Sequence, residues 1–216
     1  STSVTFVIAA AELNFGEVLD HRGLSFSSSG DSLWFSDSTK FTSGTVSMRS
    51  GGLMDGGRSI LKAMVDGPTW LSFDWSVSSE RNADILAVSV GGKVQRWISG
   101  EAAWENVKIY VPRAQTEVSW TYLKDGDTAT GADAGWVDNI KVGLPPVIRG
   151  VSGGGVYEVG KPFKVQAEVE GASSFRWMRN GRQLSGAENA DYTVASGRLE
   201  DAGVYTVICT NDFGSA

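Results

Sequence analysis

The sequence predicts an all-β chain built as two consecutive sandwiches. Short apolar–polar alternations recur along its length, each bounded by Gly, Asp, Ser or Asn clusters, the pattern of half-buried strands and their turns. Glycine is abundant, at 27 of 216 residues, and no window has the periodicity of a convincing helix. The stretch Gly143-Leu-Pro145-Pro146-Val147 interrupts the alternation, and its two prolines stiffen an extended link between segments each long enough for its own core.

In the first segment, strands are expected at residues 24–28, 33–36, 45–49, 58–65, 69–77, 84–90, 93–98, 105–111, 116–123 and 135–142. Leu71, Phe73, Trp75 and Val77 share one face of their strand, which places that face in a core. Gly91-Gly92 joins two strands as a tight hairpin, because glycine tolerates the positive φ such turns demand. Pro112 closes the strand ending in Tyr110-Val111, and Val118, Trp120 and Tyr122 alternate on the next. Residues 53–64 carry scattered apolar positions, but Gly56-Gly57 argues against a helix there. About ten strands in roughly 130 residues is the size of a jelly-roll sandwich.

Beyond the prolines, Phe163, Val165, Ala167 and Val169 alternate, then Phe175 and Trp177; Asn180-Gly181 turns the chain, and Tyr192 and Val194 mark a further strand. Asp201-x-Gly203-x-Tyr205 then reads as a corner whose tyrosine ring enters the core while its hydroxyl bonds back to the turn. Together with Leu184 and Asn211-x-x-Gly214, these residues give positions 145–216 a specific resemblance to the immunoglobulin-like domains of bacterial surface proteins. The resemblance implies that the positions bearing the inter-sheet disulfide in antibodies fall on Ala167 and Val207, so packing around Trp177 must hold this sandwich instead. Residues 13–142 resemble MAM-type adhesion domains loosely, and laminin-G-like modules of large secreted bacterial proteins more closely. The carrying residues are Gly30-Asp31-x-x-Trp34-Phe35, Leu71-Ser-Phe73-Asp-Trp75, Ser99-Gly100-x-x-x-Trp104 and Asp133-Ala-Gly-Trp136-Val137-Asp138-Asn-Ile140. This resemblance implies a jelly-roll fold and extracellular display, and carries no catalytic residue.

The immunoglobulin-like domain is expected to lack its own last strand, since little sequence follows the strand that starts at Tyr205. A missing edge strand leaves unpaired backbone groups beside an apolar groove, a template for a strand from elsewhere. Residues 1–10 suit that vacancy: Val4, Phe6 and Ile8 lie on one face of a β-rich stretch, to pack with Tyr205, Val207 and Cys209. The expected organisation is therefore residues 1–10 as a donated or tandem last strand, 11–143 as the jelly roll and 144–216 as the immunoglobulin-like domain. The plainer alternative makes residues 1–9 the first strand of the domain they precede.

Net charge is −6 and no Lys/Arg run occurs, which argues against nucleic acid or an anionic membrane as partner. No apolar run is long enough to insert in a membrane. The single cysteine, Cys209, permits no internal disulfide and alternates with core positions. Catalytic motifs are lacking: the one histidine, His21, sits in a turn without a nucleophile motif, and the carboxylate pairs Asp74 with Glu80 and Glu101 with Glu105 are the nearest approach to a glycosidase dyad.

Structural calcium is the one cofactor the sequence suggests. Asp125, Asp127 and Asp133 gather hard oxygen ligands in a Gly-containing loop, with Asp138 following; their plainer role is to support turns through side-chain hydrogen bonds. The jelly-roll resemblance adds Glu17 opposite Asp138. Of the eight Trp, Trp34, Trp70, Trp97 and Trp104 are the candidates for stacking on a surface glycan, with core or domain contact as the competing role. These readings describe a non-catalytic, extracellular or cell-surface unit whose partners are copies of itself or adjacent repeats. A carbohydrate-binding accessory module of a secreted polysaccharide-degrading enzyme is the alternative.

Overall fold

The computed structural model describes residues 14–216. Val4, Phe6 and Ile8, and with them the expected donor strand, lie outside the described residues. The fold is nearly all antiparallel sheet, and the chain divides after Val142 into two compact units.

The first unit opens with a single helical turn, α1 (Phe15–Val18), in which the Asn14 side chain accepts the Glu17 N–H at 3.2 Å. Four residues are too few to show helical periodicity, which is why the sequence gives no sign of it. Ten strands follow: β1 (Ser25–Gly30), β2 (Phe35–Asp37), β3 (Ser47–Arg49), β4 (Arg58–Val65), β5 (Thr69–Ser78), β6 (Ile85–Val90), β7 (Lys93–Ser99), β8 (Glu101–Val111), β9 (Thr116–Leu123) and β10 (Ala134–Gly143). They form two five-stranded sheets, ordered β1-β4-β9-β6-β7 and β2-β3-β10-β5-β8. Most neighbours are not consecutive in sequence, so the chain passes back and forth between the sheets in the manner of a jelly roll.

Alternation decides which side chains meet between the sheets. Leu61, Ala63 and Val65 of β4 and Val118, Trp120 and Tyr122 of β9 face Leu71, Phe73, Trp75 and Val77 of β5, all buried. Phe73 meets Trp120 edge to face at 5.2 Å and Trp75 at 5.7 Å. Truncating one of these rings to alanine costs about 3–5 kcal/mol, because transfer free energy and a cavity add. Gly91 and Gly92 connect β6 to β7 with φ of 56° and 79°, the left-handed pair that a two-residue hairpin requires.

The second unit contains β11 (Val147–Ser152), β12 (Phe163–Glu170), β13 (Ser174–Arg179), β14 (Arg182–Gln183), β15 (Asp191–Val194), β16 (Tyr205–Asn211) and β17 (Gly214–Ser215). Its sheets run β11-β12-β15 and β14-β13-β16-β17. Val165, Ala167, Trp177, Ala187, Val207 and Cys209 are the buried residues of its core. The Trp177 indole N–H donates to the Asn189 carbonyl at 3.0 Å. At the corner, the Tyr205 hydroxyl donates to the Asp201 carbonyl at 2.8 Å, as the motif predicts.

The expectation that no last strand exists needs correction. β17 pairs with β16 through Thr210↔Ser215 and Asn211↔Gly214, and Ala216 exchanges both backbone hydrogen bonds with Cys209 at 2.9 Å. The Asn211 carboxamide oxygen accepts the N–H groups of Phe213 and Gly214 at 2.8 and 3.1 Å, which closes the hairpin. The return strand thus begins within the chain but covers only the far end of β16. From Tyr205 to Ile208, no strand lies along this edge among the described residues.

Candidate functional site

A cleft of about 410 Å³ within the second unit reaches the start of β16 at Tyr205; Val151, Tyr157, Phe163, Val165 and Leu199 line it together with Glu158, Arg198 and Asp201. Both sheets contribute: Val151 comes from β11, Phe163 and Val165 from β12, and Tyr205 from β16. Aromatic rings follow one another along it, with Tyr157 5.2 Å from Phe163 and Phe163 5.9 Å from Tyr205. Around the cleft, Val151, Val159, Leu199, Val204 and the wholly exposed Val156 leave apolar surface in water.

Tyr205, Val207 and Cys209 face inward along β16, Tyr205 half-buried at the cleft and the other two buried. Burial pushes the Cys209 thiol up, which makes it a packing group. Sequence reasoning did not find Val151, Tyr157 and Leu199. Val156, Tyr157 and Val159 do carry a signal, being apolar in a segment without strand pairing, but Gly153-Gly154-Gly155 reads only as a turn.

The acidic residues fall into separate places. Asp133 accepts from the Lys124 ammonium at 2.9 Å and from the Tyr122 hydroxyl at 2.7 Å; burial first, then Asp133, pushes the Tyr122 phenol up. Asp138 is fully buried, and its carboxylate accepts the N–H groups of Thr42, Ser43 and Asn139 at 2.7, 3.0 and 2.8 Å. Burial raises its carboxyl above the ordinary value, and those amides only partly offset the rise. Glu17 forms an exposed pair with Arg22 at 3.4 Å. The expected calcium set is therefore not gathered in one place.

Asp125 and Asp127 do come together, with Glu80 as their third member. Each offers a carboxylate oxygen within 4.8 Å of the others. The pairing Ile85↔Leu123 between β6 and β9 brings the turn after β5 beside the loop after β9, a juxtaposition that only topology reveals. The dyads considered for glycosidase chemistry have other partners. Asp74 accepts from Thr42, Asn106 and Asn139, Glu101 from Ser78 and Glu105 from Arg96.

Nor are the four candidate tryptophans assembled. Trp34 is buried in the first core, a correction to its place among the stacking candidates. Trp70 packs on Tyr110 across β5 and β8 with centroids 5.4 Å apart, and Trp104 lies 5.9 Å from the Lys40 ammonium. Trp97 on the edge strand β7 is half exposed.

No protein-family model matches the sequence, and no curated protein sequence does. Solved structures with a similar arrangement include the secreted serine protease VesC from Vibrio cholerae, at 16% identity over 59% of this chain and 25% of that chain, TM-score 0.46. The K1 cleaved adhesin domain of Lys-gingipain from Porphyromonas gingivalis W83 is similar at 12% identity over 54% of this chain and 89% of that one, TM-score 0.41. TmCBM61, solved with β-1,4-galactotriose, is similar at 12% identity over 60% and 92%, TM-score 0.39. This chain matches a quarter of the length of VesC.

Proposed function

We propose that this chain is a non-catalytic structural and adhesive unit of an extracellular bacterial modular protein or fibre. Units join head to tail when a strand of the next unit completes the second sandwich. The observation that carries the reading is the cleft of mixed apolar and charged lining at the uncovered start of β16. Register supports it. If the sequence of a following unit continued directly after Ala216, the pairing of Thr210 with Ser215 would set its Thr2 opposite Val207 and its Val4 opposite Tyr205. Val4 would then share the inward face with Val207 and Cys209, while Phe6 and Ile8 would run on past the start of β16 to lie opposite Gly203 and Asp201, two residues that line the cleft.

The test appends residues 1–10 after Ala216. Burying three such side chains at about 1.5–3 kcal/mol each should raise the melting temperature of the second unit by roughly 10 °C or more. An appended segment with serine in place of the three apolar residues should give no such rise. Equal melting of the two appended chains would overturn the reading.

A glycan-binding accessory module of a secreted polysaccharide-degrading enzyme is the second reading. It is favoured by the half-exposed Trp97 and by the Trp70–Tyr110 pair, since exposed indole and phenol rings stack on sugars. Binding on a glycan array that Trp97→Ala abolishes would support it.

A further inference from the structure

We infer that Glu80, Asp125 and Asp127 form a calcium site in the first unit, at the turn between β5 and β6 and the loop after β9. Asp84 stands behind this set and steadies the loop that carries it. It is fully buried, and its Oδ1 accepts the Asp125 N–H at 3.0 Å, which holds its carboxylate against the loop that carries the other acids. Its second oxygen, Oδ2, is sealed from solvent and finds no donor among the described residues. Glu80 Oε2 is in the same condition. Buried carboxylate oxygens without a donor are expensive, and a cation is the partner that satisfies several at once.

The spacing suits one ion. Two oxygens bound to the same Ca²⁺ at roughly 2.4 Å are at most about 4.8 Å apart, and the oxygens of Glu80, Asp125 and Asp127 lie within 4.8 Å of one another. Magnesium needs shorter bonds and a stricter octahedron than a loop-borne carboxylate group supplies. The neighbouring cation does not fill the role: the Lys124 ammonium is engaged by Asp133 at 2.9 Å and Asp55 at 3.4 Å.

The experiment is calorimetric titration of the full chain, stripped with chelator, against CaCl2 and separately MgCl2, beside Asp127→Asn and Glu80→Gln. The exposed Asp127 gives a variant with little risk to folding. One Ca²⁺ is expected per chain, with a Kd on the order of 10⁻⁴ M and Mg²⁺ at least about tenfold weaker. Each variant should weaken calcium binding by about tenfold or more, and thermal melting of the first unit should rise with calcium only in the parent. No heat from the parent at about 5 mM calcium would overturn the site. So would binding that both variants leave unchanged.

Discussion

Trp120 and Trp177 fill comparable places in two different cores, but their indole N–H groups end differently. Trp177 donates to the Asn189 carbonyl, whereas Trp120 Nε1 is buried without an acceptor among the described residues. An unpaired buried donor carries a desolvation cost that a phenyl ring would not. Trp120→Phe should therefore cost about 1 kcal/mol less than Trp177→Phe, read from the denaturant midpoint of each unit's transition. Trp34 shows how a single position escapes pattern reading. It sits between Leu33 and Phe35, both exposed, in a run where every residue is apolar, so alternation alone does not say which parity faces inward.

The corner before β16 shows what a short element can encode. Gly203 in the Asp-x-Gly-x-Tyr motif leaves room for Asn180: a Cβ there would lie 2.7 Å from the Asn180 oxygen that accepts the Val204 N–H. Asp201 ties the same corner together, accepting the Arg198 N–H at 3.0 Å and the Arg179 guanidinium at 2.6 Å. The Arg198 amide first, then the Arg179 charge against an opposing desolvation, holds the Asp201 carboxyl below its ordinary value. A depressed folded pKa means that this stabilisation is complete above the unfolded value of about 4 and fades as pH falls through the folded one. Asp201→Asn should accordingly melt lower than the parent near about pH 6, and the gap should close below about pH 3. A gap independent of pH would assign the effect to geometry alone. The corner, the Asn-Gly turn and the main strands were all legible in the sequence, because each rests on residues close together along the chain. α1 was not, being too short for any period, and although Asn211-x-x-Gly214 stood out as a motif, the pairing of residues 214–216 with β16 did not, because three residues show no alternation.

For the molecule as a whole, each unit closes its own hydrophobic core, Phe73, Trp75 and Trp120 centring one and Trp177 the other. The two sites proposed here belong to different units. Calcium is expected to raise the first unit's transition in scanning calorimetry, and the appended strand the second's; both transitions moving together under either treatment would contradict that separation. The acids illustrate the limit of reading along a chain. Asp125 and Asp127 announce themselves by spacing, whereas Glu80 joins them, with Asp84 behind, only because β6 lies beside β9. The sequence led to the expectation of a vacant edge beside β16, but nothing in it pointed to the cleft's second wall, because residues 153–159 have no strand period to identify them.

Cys209 gives the second unit a built-in gauge. Its sulfur is enclosed in the core with Val165, Ala167, Trp177 and Val207, and that burial suppresses its acidity. An alkylating reagent therefore counts the moments when this sandwich opens rather than attacks on the resting fold. The thiol turns those openings into a rate that mass spectrometry can follow.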